Sequence, residues 1–428
     1  MTAQTCSRLD SPRQGSALFA LSWMAYAAAY VGRYNYSAVM GAITQEGVLS
    51  LTAAGAVSTG YFVFYAGGQV LGGALSQCVS PYRMILAGLV CSAGCNLGMA
   101  LAPAGLMALL WAANGLFQAM IWPPIVRLFA ESMPLPQQKR ACVSINSTTP
   151  AGTLAAYALS AAVLSFASWR SVFLSCGGLL LGAAAVWWLG TAPLCRATRT
   201  LYSPPRAEGG RSFASPALGA VLAAGLCGLV IPTMLHGGLK DGVTSWVPSM
   251  IQANFGTSPA FSAAVSMALP LINLAGAYLA SGLNQLVFHN EMRTSAALFG
   301  LAAVSLLVLP QAVGSSLVLA LLLLALTTLS MLGINTMLIS VMPVRAGRNG
   351  GAAMLSGLLN AVTYLGAAAA TWGIGGAADA FGWGAVFALW LVMALAGLLL
   401  SLALSGRWGR FADRCDPQRP HETEERNR

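Results

Sequence analysis

The stretch SALFALSWMAYAAAYVGRYNYSAVMGA, residues 16–42, contains a single charged side chain, Arg33. A helix rises 1.5 Å per residue and a hydrocarbon layer is roughly 30 Å thick, so about 20 such residues cross it. Lipid offers no partners to backbone amides, and helix is the form in which one apolar segment pairs all of its own. Runs of this kind recur at Leu51 to Ser76, Pro81 to Leu101, Ala104 to Ala130, Ala141 to Phe166 and Trp169 to Thr191. A second set follows at Ala217 to Ile251, Phe261 to Phe288, Ser295 to Leu309, Ser316 to Met342, Gly350 to Ala378 and Gly384 to Ser405. The pattern predicts an all-α polytopic membrane protein with twelve transmembrane helices.

Composition excludes an ordinary soluble domain. Hydrophobic residues make up 57% of the 428-residue chain and charged residues 8%, whereas soluble domains carry roughly 25% charge. Mean hydropathy is +0.70. The net charge of +10 lies mostly in loops and tails, so it does not imply nucleic acid as a partner. The nine cysteines lie mostly in apolar runs without a CxxC pair. Cys91 and Cys95 share a helix face but have no further ligands nearby, so neither a metal nor a cofactor is expected.

Basic residues in short loops are retained on the cytoplasmic side during insertion. With the N-terminus inside, the inner loops and tails hold Arg8, Arg13, Arg83, Lys139, Arg140, Arg196, Arg199, Arg206, Arg211, Arg293, Arg345, Arg348 and the arginines from Arg407 onward, while the outer loops hold Arg170. Both termini are therefore expected in the cytoplasm, with the chain in a plasma membrane of the bacterial inner-membrane type. The polar stretch Pro193 to Ser215 divides the chain at its midpoint, and Trp169-x-x-Val172-Phe173 recurs as Trp383-x-x-Val386-Phe387. Together they predict two pseudo-symmetric six-helix bundles, residues 1–192 and 216–406, joined by a linker at 193–215 and ending in an irregular tail at 407–428.

A charge inside a span costs several kcal/mol and is therefore held by a partner or set against a wet cavity. Arg33 lies in the first span, and Lys240 and Asp241 in the seventh, about half the chain away. Pseudo-symmetry would set the two cations facing each other, as an anion clamp. Asp241 either neutralises a cation and fastens the halves together, or takes up a proton as the coupling ion. As adjacent helix residues, Lys240 and Asp241 are not expected to point into one pocket together. Tyr26, Tyr30 and Arg33 share a helix face, as do Tyr61, Tyr65 and Gln69. Gln118 and Trp122 precede Pro123 and Pro124, which remove backbone donors and bend the fourth span. Asn146, Thr148 and Thr149 in the fifth span, and Asn360, Thr363 and Tyr364 in the eleventh, are further polar positions on spans expected to line the cavity.

These residues resemble the major facilitator superfamily, and within it the organophosphate:phosphate antiporters of the glycerol-3-phosphate and hexose-phosphate type. The resemblance runs through Tyr30-x-x-Arg33-x-Asn35, Gly115-Leu116-Phe117-Gln118-x-x-x-Trp122-Pro123-Pro124, Lys139-Arg140 leading to Asn146, Trp246-x-Pro248 and Phe381-Gly382-Trp383. It implies a secondary transporter in which Arg33 and Lys240 hold a small organic anion, an organophosphate or a carboxylate. Tyr26, Tyr30 and Tyr364 would stand near the anion, with Gln118 and Trp122 beside them. Tyr65, Gln69, Asn146 and Thr149 complete the candidate binding set.

Several positions depart from the resemblance. Tyr34 replaces a basic residue, Gln69 a lysine and Thr149 a histidine, and Asp241 makes the pocket less positive than a phosphate dianion favours. At the loop after the second span, Gln77 and Cys78 stand where the superfamily carries an Asp-Arg latch, and Gln285 occupies the equivalent loop of the second half. Phosphate or a proton is the expected coupling ion, the lipid bilayer the surroundings, and a monomer the expected state. A transporter-shaped sensor of the same anion is the second reading, and flux in liposomes separates the two. An enzyme is not expected: His236, His289 and His421 form no His-Glu-x-x-His helix.

Overall fold

A computed structural model of the chain describes residues 9, 11–133, 137, 140, 141, 144–197, 226–346 and 352–415, and helix occupies each of the twelve predicted spans. In chain order the helices are α1 (Pro12–Gln45), α2 (Leu51–Cys78), α3 (Pro81–Leu101), α4 (Ala104–Ala119), α5 (Trp122–Ser132), α6 (Thr148–Leu164), α7 (Trp169–Ala197) and α8 (Val230–Phe255). They continue as α9 (Pro259–Ser266), α10 (Ala268–Leu283), α11 (Glu291–Val313), α12 (Leu317–Asn335), α13 (Met342–Ala346), α14 (Ala352–Phe381) and α15 (Trp383–Cys415).

Local chemistry sets the starts. Ser11, Ser50, Ser80, Ser258 and Ser316 accept a backbone N–H of the first turn, and Pro12, Pro81 and Pro259 occupy first positions where no donor is needed. Gly382, at φ 76°, ends α14 in the left-handed conformation and lets Trp383 begin α15 at once. Pro123 and Pro124 divide the fourth span into α4 and α5, the bend expected of them. The eighth span breaks at Met267 and ends in a π-helical turn at Asn284–Phe288, and the tenth carries another at Thr336–Val341.

Among the described residues, seven helices are long and apolar enough to cross a membrane by length and composition alone. Neither α1 nor α8 is one of them, because Arg33 with its tyrosines, and the Lys240–Asp241 pair, dilute their apolarity.

By internal contacts the chain forms two compact units. The first comprises residues 1–210, 244–271 and 368–383, and the second 211–243, 272–367 and 384–428. In the first, α1 packs on α6 and α7, α2 on α4, and α3 on α7 and α4. Gly115 of α4 lies against the Tyr61 carbonyl of α2, and Gly152 of α6 against the Ala27 carbonyl of α1, contacts too close for a Cβ. In the second, α11 packs on α12, and two glycine contacts join α8 to α14, Gly237 on the Thr363 carbonyl and Gly366 on the Met234 carbonyl.

Three expected boundaries are corrected. The ninth span begins at Glu291 rather than Ser295, because the Asn290 side chain caps it, accepting from the Met292 and Arg293 amides at 3.0 and 3.1 Å. The last helix runs on through Arg407 to Cys415, where an irregular tail was expected. Trp408, 1% exposed, anchors that extension by donating its indole N–H to Glu291 at 2.7 Å, and Arg345 donates to both oxygens of the same carboxylate at 2.6 and 2.9 Å. The first half also reaches past the expected linker start, since α7 continues through Pro193 to Ala197. Lys139, Arg199, Arg206, Arg211, Arg348, the tail beyond Cys415 and the side chains of Gln77 and Cys78 lie outside the described residues.

Within the first unit, side chains tie together the ends of helices from both halves of the sequence. Gln252 donates to Gln45 at 2.7 Å and to the Gly41 carbonyl at 3.3 Å, and Trp169 donates to Glu46 at 2.8 Å. Asp379, one residue beyond the predicted end of its span, caps α2: it accepts the Leu51 amide at 3.2 Å, the Thr52 amide at 2.6 Å and the Thr52 hydroxyl. A carboxylate there also meets the positive end of the helix dipole.

Burial alone would raise the Asp379 pKa, but the hydrogen bonds from Thr52, Leu51 and Ser50 outweigh it and hold the group below the ordinary carboxylate range. A depressed folded-state pKa contributes stability above the unfolded value and loses it as pH falls through the folded one. Asp379→Asn is therefore expected to lower the thermal midpoint of the purified protein at neutral pH. The gap to wild type should close as the pH drops well below about 4, the unperturbed aspartate value. Melting curves across that range check this, and a gap that persists in acid would contradict it.

Candidate substrate-binding site

Spacings of four and three along α1 bring Tyr26, Tyr30 and Arg33 to one face, and α2 brings Tyr61, Phe62 and Tyr65 against it. The Arg33 side chain is 7% exposed. Its guanidinium carbon lies 4.9 Å from the ring centre of Tyr65, 5.3 Å from Tyr61, 5.4 Å from Tyr34 and Phe62, and 5.7 Å from Tyr30. Each such contact contributes about 0.5–2 kcal/mol, rising with desolvation, so five rings replace part of the hydration that a buried cation gives up. The rings order one another: Tyr30 and Tyr34 are stacked within 7° of parallel, Tyr61 and Tyr65 within 19°. Tyr26 packs on Trp122 at 4.9 Å.

Two small cavities flank the guanidinium, each with room for about one water molecule. Tyr26, Ala29, Tyr30, Arg33, Tyr65 and Gln118 line one; Arg33, Tyr34, Tyr36, Ser37, Ser58, Tyr61, Phe62, Trp111 and Ser245 line the other.

Behind the cage runs a buried hydrogen-bond network. The Tyr61 hydroxyl donates to Gln118 Oε1 at 2.8 Å, Gln118 Nε2 to the Ser92 hydroxyl at 3.0 Å, and Ser92 to Asn114 Oδ1 at 2.6 Å. Asn114 and Asn96 both donate to the Gly32 carbonyl, at 3.0 and 3.3 Å, and Asn35 donates to Asn96 at 2.7 Å. The network therefore fixes the backbone turn that carries Arg33. Both amide atoms of Gln118 are used in it.

In the second unit, Lys240 lies 3.3 Å from Asp241, the two side chains 20% and 4% exposed. The Lys240 ammonium also lies 5.5 Å from the Tyr364 ring. One turn earlier, His236 is fully buried and neither ring nitrogen makes a hydrogen bond of good geometry, the Thr233 and Met331 carbonyls being the acceptors nearest it in kind.

Of the candidate residues, Arg33, Tyr26, Tyr30, Tyr65, Gln118 and Trp122 come together in the first unit, and Lys240, Asp241 and Tyr364 in the second. Gln69 is half-buried one turn beyond Tyr65 and lines neither cavity. Thr149 is half-buried in the first turn of α6, its carbonyl accepting the Thr153 hydroxyl. The Asn146 side chain lies outside the described residues. The candidate set omitted Tyr34 and Phe62 from the cage, and Asn35, Asn96, Asn114 and Ser92 from the network. A signal existed for Asn96 and Asn114, amides set in otherwise apolar spans.

The sequence profile of the Major Facilitator Superfamily matches residues 22–371. None of the curated proteins matches the chain significantly. Among solved structures, a bacterial homologue of the human lysosomal transporter Spinster, inward-facing and unoccupied, is similar with a TM-score of 0.72 at 14% identity, over 94% of this chain and 98% of that one. A D-xylose–proton symporter gives 0.68 at 16% identity over 93% and 98%. A POT family transporter in complex with 5-aminolevulinic acid gives 0.71 at 13% identity over 95% and 98%. At these identities the likeness carries the fold.

Gln118→Leu leaves the Tyr61 and Ser92 hydroxyls short of a partner in a buried site and is expected to cost about 1–3 kcal/mol. Adding Tyr61→Phe should recover part of that loss. A double-mutant cycle read by thermal unfolding checks the coupling, and simple additivity would contradict it.

Proposed function

The chain belongs to the Major Facilitator Superfamily, and on that premise we propose that this secondary transporter moves a small organic anion, with Arg33 and Lys240 as its cationic contacts. The observation that carries this reading is Arg33 itself, a desolvated cation held in the interior of a spanning helix by aromatic faces and bordered by cavities. A guanidinium is the side chain best suited to a planar oxyanion, offering two parallel N–H bonds. An anion arriving there meets a positive charge in a poorly polarisable setting, where charge-assisted hydrogen bonds are strong. The resemblance to organophosphate:phosphate antiporters supports the same chemistry, and it extends to both phosphorylated and carboxylated substrates.

Transport follows from alternating access, one half rocking against the other so that the site faces each side in turn. Both termini lie in the cytoplasm, as the basic loops direct. Asp241 has two possible uses, each tied to its pairing with Lys240. In antiport, the carboxylate holds the ammonium between substrates and yields it to an anion at either face. In symport, it takes a proton as the anion takes the lysine.

Purified protein in liposomes tests the proposal. Vesicles preloaded with an organic anion should show counterflow of labelled anion, and Arg33→Gln should reduce it by about 10–100-fold, the worth of a hydrogen bond to a charged group. Uptake driven by a pH gradient and lost in Asp241→Asn would assign symport, and phosphate exchange indifferent to the gradient would assign antiport. Anion flux that survives Arg33→Gln undiminished would overturn the role of Arg33.

A further inference from the structure

The last helix runs past the length a bilayer needs and turns basic where it does so. We infer that its inner end binds an anionic phospholipid, with Arg407 and Arg410 on the phosphate diester and Arg414 adding to the field one turn farther out. Nothing in this depends on which solute is carried.

Length sets the depth. Helix α15 has 33 residues, Trp383–Cys415, and so spans about 50 Å at 1.5 Å per residue, whereas the hydrocarbon core takes about 30 Å. With Trp383 at one interface, where tryptophan is favoured, the core ends near Ala403. A headgroup layer about 5–8 Å deep then extends to the level of Arg407 and Trp408. Arg410 stands just beyond it, and the long arginine stem brings its charge back among the headgroups.

One face carries both halves of the match. Leu395, Leu399, Ala403, Arg407, Arg410 and Arg414 follow one another at spacings of four or three, which makes them a single row along the helix. Every member of the row is exposed. It is apolar up to Ala403 and basic from Arg407, the order in which an acyl chain gives way to a charged headgroup.

The other face fixes the helix in rotation. Trp408, Phe411 and Ala412 are buried. Trp408 donates to Glu291 at 2.7 Å, and Asn290 donates to the Ser405 carbonyl at 3.1 Å, so the start of α11 holds the extension by two polar bonds. The arginines are thereby kept outward on an ordered scaffold.

Charge completes the site. Residues 407–415 hold three arginines against one carboxylate, Asp413. Among the described residues, none of the three arginines forms an ion pair with it or with another carboxylate. A guanidinium grips a phosphate through two parallel N–H bonds, which suits it to a diester held at the surface.

Native mass spectrometry of the full-length protein in detergent, titrated with phosphatidylglycerol or with phosphatidylcholine of the same acyl chains, tests this. Each basic residue near a headgroup is worth about fivefold, so the first phosphatidylglycerol should bind at least about tenfold more tightly than phosphatidylcholine. Replacing Arg407, Arg410 and Arg414 together with glutamine should bring the two lipids within about twofold of each other and leave phosphatidylcholine unchanged. If that variant does not fold, Arg410→Gln alone should lower the preference by about fivefold. Arg13, Arg83 and Arg293 are exposed arginines that the basic-loop rule also assigns to the inner side. Exchanging those three for glutamine removes the same charge and should leave the preference at its wild-type value. An equal loss in both triple variants, or a wild-type protein that binds the two lipids alike, would overturn the site. A preference that emerges only once residues 416–428, with Glu422, Glu424 and Glu425, are removed would assign the arginines to the chain's own acidic tail instead.

Discussion

A guanidinium in the interior of a spanning helix has to be solvated by the protein, and much of the first unit can be understood as the means of doing so. Water and lipid cannot supply that solvation where Arg33 sits. Five aromatic faces contribute to that solvation. The hydrogen-bond network behind the cage extends this support, since two asparagines hold the Gly32 carbonyl and Gln118 orients Tyr61. Polar residues behind the rings thus help to position one charge.

The second unit handles its cation differently. Lys240 has a carboxylate, Asp241, at 3.3 Å and the Tyr364 ring 5.5 Å from its ammonium. The two candidate cations therefore have different surroundings, rings around Arg33 and a carboxylate beside Lys240. At the ends of the first-unit helices, Asp379 and Gln252 join residues 368–383 and 244–271 to α2 and α1.

The fold was legible from apolar run length and from the distribution of charge. Twelve spans, the bend at Pro123-Pro124 and the aromatic repeats at Trp169 and Trp383 followed from residues close together in the chain. The ends of helices were less legible where tertiary contacts decide them. Arg407, Arg410, Asp413 and Arg414 read as a polar tail, yet Trp408 and Phe411 between them bury one face of a continuing helix, and Trp408 finds Glu291 more than a hundred residues away. The cage was half legible. Helical spacing aligned Tyr26 and Tyr30 with Arg33, and Tyr61 with Tyr65, but it cannot say which faces of α1 and α2 meet. Tyr34, adjacent to Arg33, looked like a lost basic residue and is instead one of the rings around the charge. Gln118 was singled out for a ligand, and its amide is used to hold Tyr61 and Ser92.

Diffraction from crystals grown with methylarsonate, a small organic oxyanion, tests the central claim most directly, because anomalous scattering from arsenic locates the ligand independently of the protein phases. The account predicts an arsenic peak within hydrogen-bonding reach of the Arg33 guanidinium. An arsenic site remote from Arg33 would contradict it.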